Sequence, residues 1–297
     1  MAPRDTGVIH DIGYRNYDGA RLGRSYLVRS LFVQSLRGAY GLGRPARSKV
    51  MPALLLAAIT FPALIIVVVT MVTGSQELPL AYTDYVPYTF YIVAVFLAAQ
   101  APQLISHDLR FRTVPLYFSR PINAADYVIA KYGALAAALF ALMAMPLLVM
   151  YVGAMLTELP FWAQTRGVAK GLTGAVLFAV LLAGLGAVIA SATPRRGFGV
   201  AAIIAVIMVS YTVVSAVQGI SVETDHVKVA TLADLFSPFN LANAVQLWIF
   251  DIEVNPLFDE VPTADGGQGL LFVAMYLACV AGSVAFLLMR YRKASAR

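Results

Sequence analysis

Few side chains in this sequence are equipped for covalent chemistry, and their spacing does not let them cooperate. The three histidines, His10, His107 and His226, are widely separated and lie outside the long apolar blocks, so neither a metal-ligand set nor a metalloprotease helix can be drawn. The single cysteine, Cys279, sits inside an apolar block with no thiol to pair with, and reads as packing. Serines and threonines are scattered through the apolar blocks, but a hydroxyl nucleophile needs a base within reach and no block supplies one. There is no G-x-x-x-x-G-K-[ST] stretch whose backbone amides would cradle a phosphate. The glycines of Gly184-Leu185-Gly186 fall within an apolar block with no strand before them, which fits close helix packing better than nucleotide binding. The expectation is a chain that is not an enzyme, hydrolyses no ATP alone, binds no metal or cofactor and takes no nucleic acid.

What remains is the chemistry of docking. Residues 103–121 read QLISHDLRFRTVPLYFSRP, where Asp108, Arg110, Arg112 and Arg120 are interleaved with Leu109, Phe111, Val114, Leu116, Tyr117 and Phe118. On one reading the arginines only set topology and bind anionic headgroups, each worth about 1 kcal/mol near a membrane surface. On the other, a short amphipathic element docks in a groove of a soluble partner, with apolar anchors at the centre and charges at the rim.

The elements that must carry this loop follow from composition. Hydrophobic residues make up 60% of the 297 and charged residues only 13%, about half the share of a soluble domain, so the chain belongs in a membrane. The expected fold class is an all-α polytopic membrane protein. About 20 apolar residues span the hydrocarbon core as a helix. Six segments qualify, near 50–72, 85–105, 127–156, 171–193, 198–219 and 269–289, within a permease domain of residues 50–290. Pro62 and Pro146 fall mid-span and are expected to kink the first and third helices. Residues 1–49 form a polar arm, too long and charged for a cleavable signal, and residues 291–297 a basic tail. Of the Lys and Arg residues, only Arg166, Lys170 and Lys228 lie opposite the side that holds the arm, the loop at Arg110, the turn at Arg195 and Arg196, and the tail. The positive-inside rule therefore places both termini in the cytoplasm. Acidic residues gather on the other side, mostly between Glu223 and Asp265.

Within the arm, helical periodicity between Arg24 and Leu42 puts Ser30, Gln34, Arg37 and Gly41 on one stripe. Leu27, Val28, Leu31, Phe32 and Ala39 fall opposite, as in a helix lying in the interface plane. Upstream, HDIGYRNYDG is expected to be irregular. In the outer loop, residues 220–268, Ser237 and Pro238 have the types of an N-cap and a first helical residue. The helix from Phe239 to Phe250, with Asn243 and Trp248 in it, would be about 18 Å long, too short to cross a bilayer. It should dip in and return, or lie flat. Tyr82, Tyr85, Tyr88 and Tyr91 read as an aromatic belt. Thr89, Gln100, Ser210, Tyr211, Thr212, Ser215 and Gln218 are polar side chains within the second and fifth spans. They either hydrogen-bond between helices or face a transport path, and Gln100, Tyr211, Ser215 and Gln218 are the candidate lining. Proton-driven carriers keep Asp, Glu or His within the membrane, whereas all six span centres here are uncharged, with Lys131 one turn into the third helix where its ammonium can snorkel to the interface.

Three stretches, HDLRFRTVPLYFSRPINAADY, GLGAVIASATPRRGFG and LFSPFNLANAVQLWIF, together with the layout of arm, six spans and one large outer loop, resemble the membrane subunits of type-2 ABC exporters. The resemblance covers nearly the whole chain. It implies a coupling helix at Asp108, Leu109, Arg110, Phe111 and Arg112 that seats in a separate ATPase subunit, and an amphipathic elbow helix in the arm. It also implies a re-entrant pair around Pro238, Phe239, Asn243 and Trp248. ATP and magnesium would be bound by the ATPase subunits, and the pathway formed with a second copy or a related permease in a bacterial cell (plasma) membrane. No charged cluster marks a path, so the expected cargo is uncharged or amphipathic. The alternatives are an ion-coupled secondary transporter and a non-transporting membrane scaffold.

Overall fold

The computed structural model of the chain describes residues 19, 23–111, 113–119, 122–193, 195–224, 226–252 and 264–295. Among them all regular structure is helical. α1 (Arg24–Ala39) precedes α2 (Arg47–Thr73), α3 (Tyr82–Tyr88) and α4 (Phe90–Ala101). α4 runs through a π-helical turn (Pro102–Ser106) into α5 (His107–Arg110), and α6 (Val114–Phe118) follows. The remaining helices are α7 (Ala124–Leu156), α8 (Phe161–Ala192), α9 (Arg196–Glu223), α10 (Val227–Ala233), α11 (Pro238–Phe250) and α12 (Gly266–Ser295). Six helices are long and apolar enough to cross a membrane: α2, the continuous run Phe90–Arg110, α7, α8, α9 and α12. The protein is a multi-pass membrane protein with six candidate spans among the described residues. The stretch HDIGYRNYDG (apart from Gly19), Arg112, Arg120 and most of the segment between Asp251 and the last span lie outside the described residues.

Local sequence explains where these helices start and stop. Asn123 and Asp126 form a reciprocal capping box at the start of α7, the Asp126 carboxylate accepting from the Asn123 backbone N–H at 3.0 Å. α2 ends on Gly74 at φ 62°, a left-handed residue that glycine adopts without a Cβ penalty. Pro62 and Pro146 sit inside helices that continue through them. The expected second span, 85–105, is instead two pieces. A proline cannot donate to the carbonyl four residues back and its ring crowds that carbonyl; Pro87 is the second-last residue of α3, and the chain re-forms as α4 after Thr89. Thr83, four residues before Pro87, has its carbonyl satisfied from outside, by the buried Gln246 Nε2 of α11 at 3.0 Å.

That bond needs a gap in α8. A side chain at Gly174 would occupy the space of the Gln246 amide, so glycine lets Gln246 cross α8 and reach α3. Gly174→Val is therefore expected to displace the amide, orphan the Thr83 carbonyl and lower stability in detergent by about 1–3 kcal/mol. Gln246→Leu should lose a similar amount in a thermal-unfolding series, because it orphans the same carbonyl. Gly184 and Gly186 do the same for other contacts, with a Cβ at Gly186 falling 2.6 Å from Leu97 of α4 and one at Gly184 3.1 Å from Ser283 of α12. The pair separates α8 from two neighbours by little more than backbone.

The core is built from α4, α7 and α8, while α2, α9 and α12 leave much of their apolar surface uncovered. Tyr82 and Tyr85 differ from the expected belt. Their helical spacing turns both inward, where Tyr82 donates to Gln164 Oε1 at 2.9 Å and Tyr85 to the Ile59 carbonyl, whereas Tyr88 and Tyr91 are exposed. α1 does not stand apart from the bundle. Leu27, Val28, Leu31, Phe32 and Ala39, the expected apolar side, all pack on the core. Its length follows α7, from Arg24 paired with Asp126 at 2.7 Å, past Phe32 beside Gly133, to Tyr40 donating to the Ala138 carbonyl at 2.7 Å. Burial pushes the Tyr40 hydroxyl up to about 12, so it stays a donor at any ordinary pH.

Candidate functional site

The loop between the second and third spans is positioned by a cluster that sequence spacing did not reveal. Pro102 opens the π-helical turn, a rare local form that removes the regular bond register and rotates the residues after it. The rotation turns Asp108 inward. Asp108 is only 6% exposed and its Oδ2 accepts from Lys131 Nζ at 2.8 Å and from the Tyr127 hydroxyl, both on α7. His107 Nδ1 lies 3.5 Å from the other carboxylate oxygen. Lys131, 8% exposed, donates as well to the Leu104 carbonyl at 3.2 Å. Its ammonium is thus met by a buried carboxylate and a carbonyl at the end of the second span rather than by solvent.

Aromatic rings extend the cluster into the last helix. Tyr127 stacks at tilted angles with Tyr117 of α6 and Tyr291 of α12, at centroid separations of 5.4 and 4.9 Å, and the Tyr291 hydroxyl donates to Ile105 in the π-helical turn at 3.3 Å. Ser106 donates to the Ala190 carbonyl at the end of α8. Arg290 Nε reaches the adjacent Ser191 carbonyl at 2.7 Å, and Arg196 of α9 reaches Gln103 Oε1 at 3.4 Å. Elements of four spans thus grip one turn of chain.

The other face of the loop is open. Phe111 is 58% exposed, Leu116 is 69% exposed, and Arg110 is exposed with its guanidinium 5.5 Å from the Phe111 ring. Leu109 is half-buried against the core. Of the five residues expected at the coupling contact, Asp108 and Leu109 face the bundle, Arg110 and Phe111 face outward, and Arg112 lies outside the described residues.

The candidate lining residues do not converge. Gln100 is buried on α4 with its Oε1 unpaired. Tyr211 stacks on Phe90 at 4.4 Å, Ser215 and Thr212 are exposed on α9, and Gln218 Nε2 donates to Asp234 Oδ1 at 2.8 Å and to the Ala230 carbonyl at 3.2 Å. Thr89 and Ser210 bond carbonyls one turn back in their own chain segments. At the opposite end from the loop, the Gln218 bonds hold α10 against the end of α9. α11 starts as the residue types require, with Ser237 Oγ accepting from Asn240 N at 3.4 Å and Pro238 first in the helix. Phe239 is buried at 4.4 Å from Phe90 and 4.6 Å from Phe178 of α8, while Phe250, at the other end of α11, accepts from Lys170 near the start of α8 at 3.3 Å. α11 therefore rises along α8. Asn243 is half-buried, and half-buried Trp248 fills the space left by Gly269 of α12.

Among the described residues no three His, Cys, Asp or Glu side chains gather as metal ligands. No protein-family model matches this sequence, and a search of curated proteins finds no match.

Proposed function

We propose that this chain is the permease subunit of an ATP-driven exporter of the type-2 ABC kind, moving an uncharged or amphipathic substrate when two copies, or one copy and a related chain, are driven by separate ATPase subunits. One observation carries the reading. The loop 107–118 is bonded to α7 through Asp108, and the π-helical turn that leads into it is bonded to α8 through Ser106 and to α12 through Ile105, while Phe111 and Leu116 are left uncovered on the loop's outer face. Such a loop transmits displacement. A partner that grips Phe111 and moves displaces α7 through the Asp108–Lys131 pair and α12 through Tyr291. The bundle can then exchange which side it opens to, as packed elements with two arrangements do.

In this reading both termini lie in the cytoplasm of a bacterial cell, α1 is the elbow helix, and α10 with α11 is a re-entrant pair closing the outer end. Gln100, buried with an unpaired oxygen, is the side chain most in need of a polar partner along the path. ATP and magnesium belong to the partner subunits.

A second reading, an ion-coupled carrier, has the buried Asp108–Lys131 pair in its favour, since intramembrane ionisable groups mark proton relays. Here, however, the ammonium and the carboxylate neutralise each other, with the Tyr127 hydroxyl donating to the carboxylate and the Leu104 carbonyl accepting from the ammonium, so both charges are already partnered within the fold. The experiment is purification from native membranes in mild detergent. An ATPase subunit is expected in equal ratio with this chain, and uptake into inverted vesicles should require ATP and survive a proton uncoupler. Uptake that collapses with the uncoupler and ignores ATP selects the carrier, and a chain that recovers no ATPase and moves nothing selects the scaffold.

A further inference from the structure

The face of α1 that points away from α7 borders a cleft of 660 Å³ that the transport reading does not use. Arg29 and Arg37 line it from the helix and Arg44 from the turn that follows. Ser30 and Gln34 add a hydroxyl and an amide between them. Among the described residues no carboxylate lies within ion-pair distance of these three guanidiniums, whereas Arg24 on the same helix is held by Asp126. The same cleft exposes Tyr26, Val33 and Leu42, so cationic and apolar surfaces lie side by side. It ends at Arg44, three residues before α2 enters the bundle as the first span. The cleft therefore lies where the chain passes from water into lipid.

We propose that this cleft seats an anionic phospholipid from the leaflet on the side of the N-terminus. Its phosphate sits among Arg29, Arg37 and Arg44, and the first part of its chains lies along Tyr26, Val33 and Leu42. Three neighbouring guanidiniums select for an anion, since their planar forks match phosphate oxygens. The exposed apolar side chains beside them select for an amphiphile over a free anion. The adjoining first span supplies the membrane. The cleft narrows into a second cavity of 160 Å³ that shares Gln34, Gly38 and Arg44 and reaches Gln103, His107 and Asp108. A bound headgroup thus abuts the loop read above as the coupling element; that consequence rests on the proposed function, while the lipid site does not.

The test uses the full chain in detergent with phosphatidylglycerol or phosphatidylcholine, reading retained lipid by native mass spectrometry and the thermal midpoint alongside. The wild type is expected to retain phosphatidylglycerol preferentially and to be stabilised by it. Arg29→Gln with Arg37→Gln and Arg44→Gln should retain it at least about tenfold less, at an unchanged lipid-free midpoint. If the triple variant does not fold, the single Arg29→Gln, on an exposed mid-helix position, should still lose about fivefold. A control that removes three charges elsewhere on the same side, Arg195→Gln with Arg292→Gln and Lys293→Gln, should keep the preference. Any of four results overturns the proposal: no preference for phosphatidylglycerol in the wild type, a triple variant that retains it fully, a control variant that loses as much, or equal stabilisation by glycerol 3-phosphate alone, which would assign the cleft to a free phosphate compound.

Discussion

Lys131→Met should cost the folded protein about 3–5 kcal/mol, the usual loss when one partner of a buried ion pair is removed. The cost arises from what is left behind. Asp108 is buried, its Oδ2 lies 2.8 Å from the ammonium, and without that charge only the Tyr127 hydroxyl and a partly exposed His107 remain beside the carboxylate. Asp108→Asn with Lys131→Met removes both charges together, and an asparagine oxygen still accepts from Tyr127. The double variant should therefore recover most of the stability, giving a coupling well outside additivity in a double-mutant cycle read by thermal unfolding in detergent. Lys170→Met is the control. Its Nζ bonds the Phe250 carbonyl at the far end of α8 and pairs with no carboxylate among the described residues, so a loss of about 1 kcal/mol is expected. A double-variant loss equal to the sum of the Lys131→Met and Asp108→Asn single losses would show that the pair contributes nothing as a pair.

This cluster also marks the limit of what the sequence made legible. The spans were readable because length and apolarity alone decide them, and α11 because Ser237 and Pro238 act on their own neighbours through a cap and a fixed φ. Asp108 and Lys131 carried no such local signal. They lie on opposite sides of a loop, and their meeting depends on how the π-helical turn rotates the end of the second span, which is a tertiary outcome. Pro102 inside the apolar block was the available hint, as Pro87 was for the break at Thr89. Tyr82 and Tyr85 were misassigned to the surface for a related reason. A tyrosine near a span end suits either the headgroup region or a core with a free carbonyl, and only the packed structure supplies Gln164 and Ile59 as partners. Asp108 and Leu109 were expected at the same outer contact as Arg110 and Phe111, but a short helix cannot turn four successive residues to one side, and the first two face the bundle.

Under the proposed function, Phe111→Ala should separate docking of the ATPase subunit from folding and give the largest functional effect. With more than half its surface exposed, the ring contributes little to the fold of this chain, and its loss should leave the thermal midpoint of the isolated subunit close to that of wild type. If the ring seats in a pocket of the ATPase subunit, its removal empties an aromatic anchor at the centre of an interface, where truncation costs about 2 kcal/mol or more, or roughly 30-fold in affinity. The result expected from that proposal is loss of the co-purified ATPase and of substrate-stimulated ATP turnover, with this chain still folded. Tyr127→Phe gives the complementary result. It deletes one donor to Asp108 behind the loop without touching the outer face, so the ATPase should still bind while turnover no longer responds to substrate. A Phe111→Ala complex that assembles and responds as wild type would remove the loop from the transmission path, and a Tyr127→Phe complex that releases its ATPase would show that the inner bonds only hold the loop in shape.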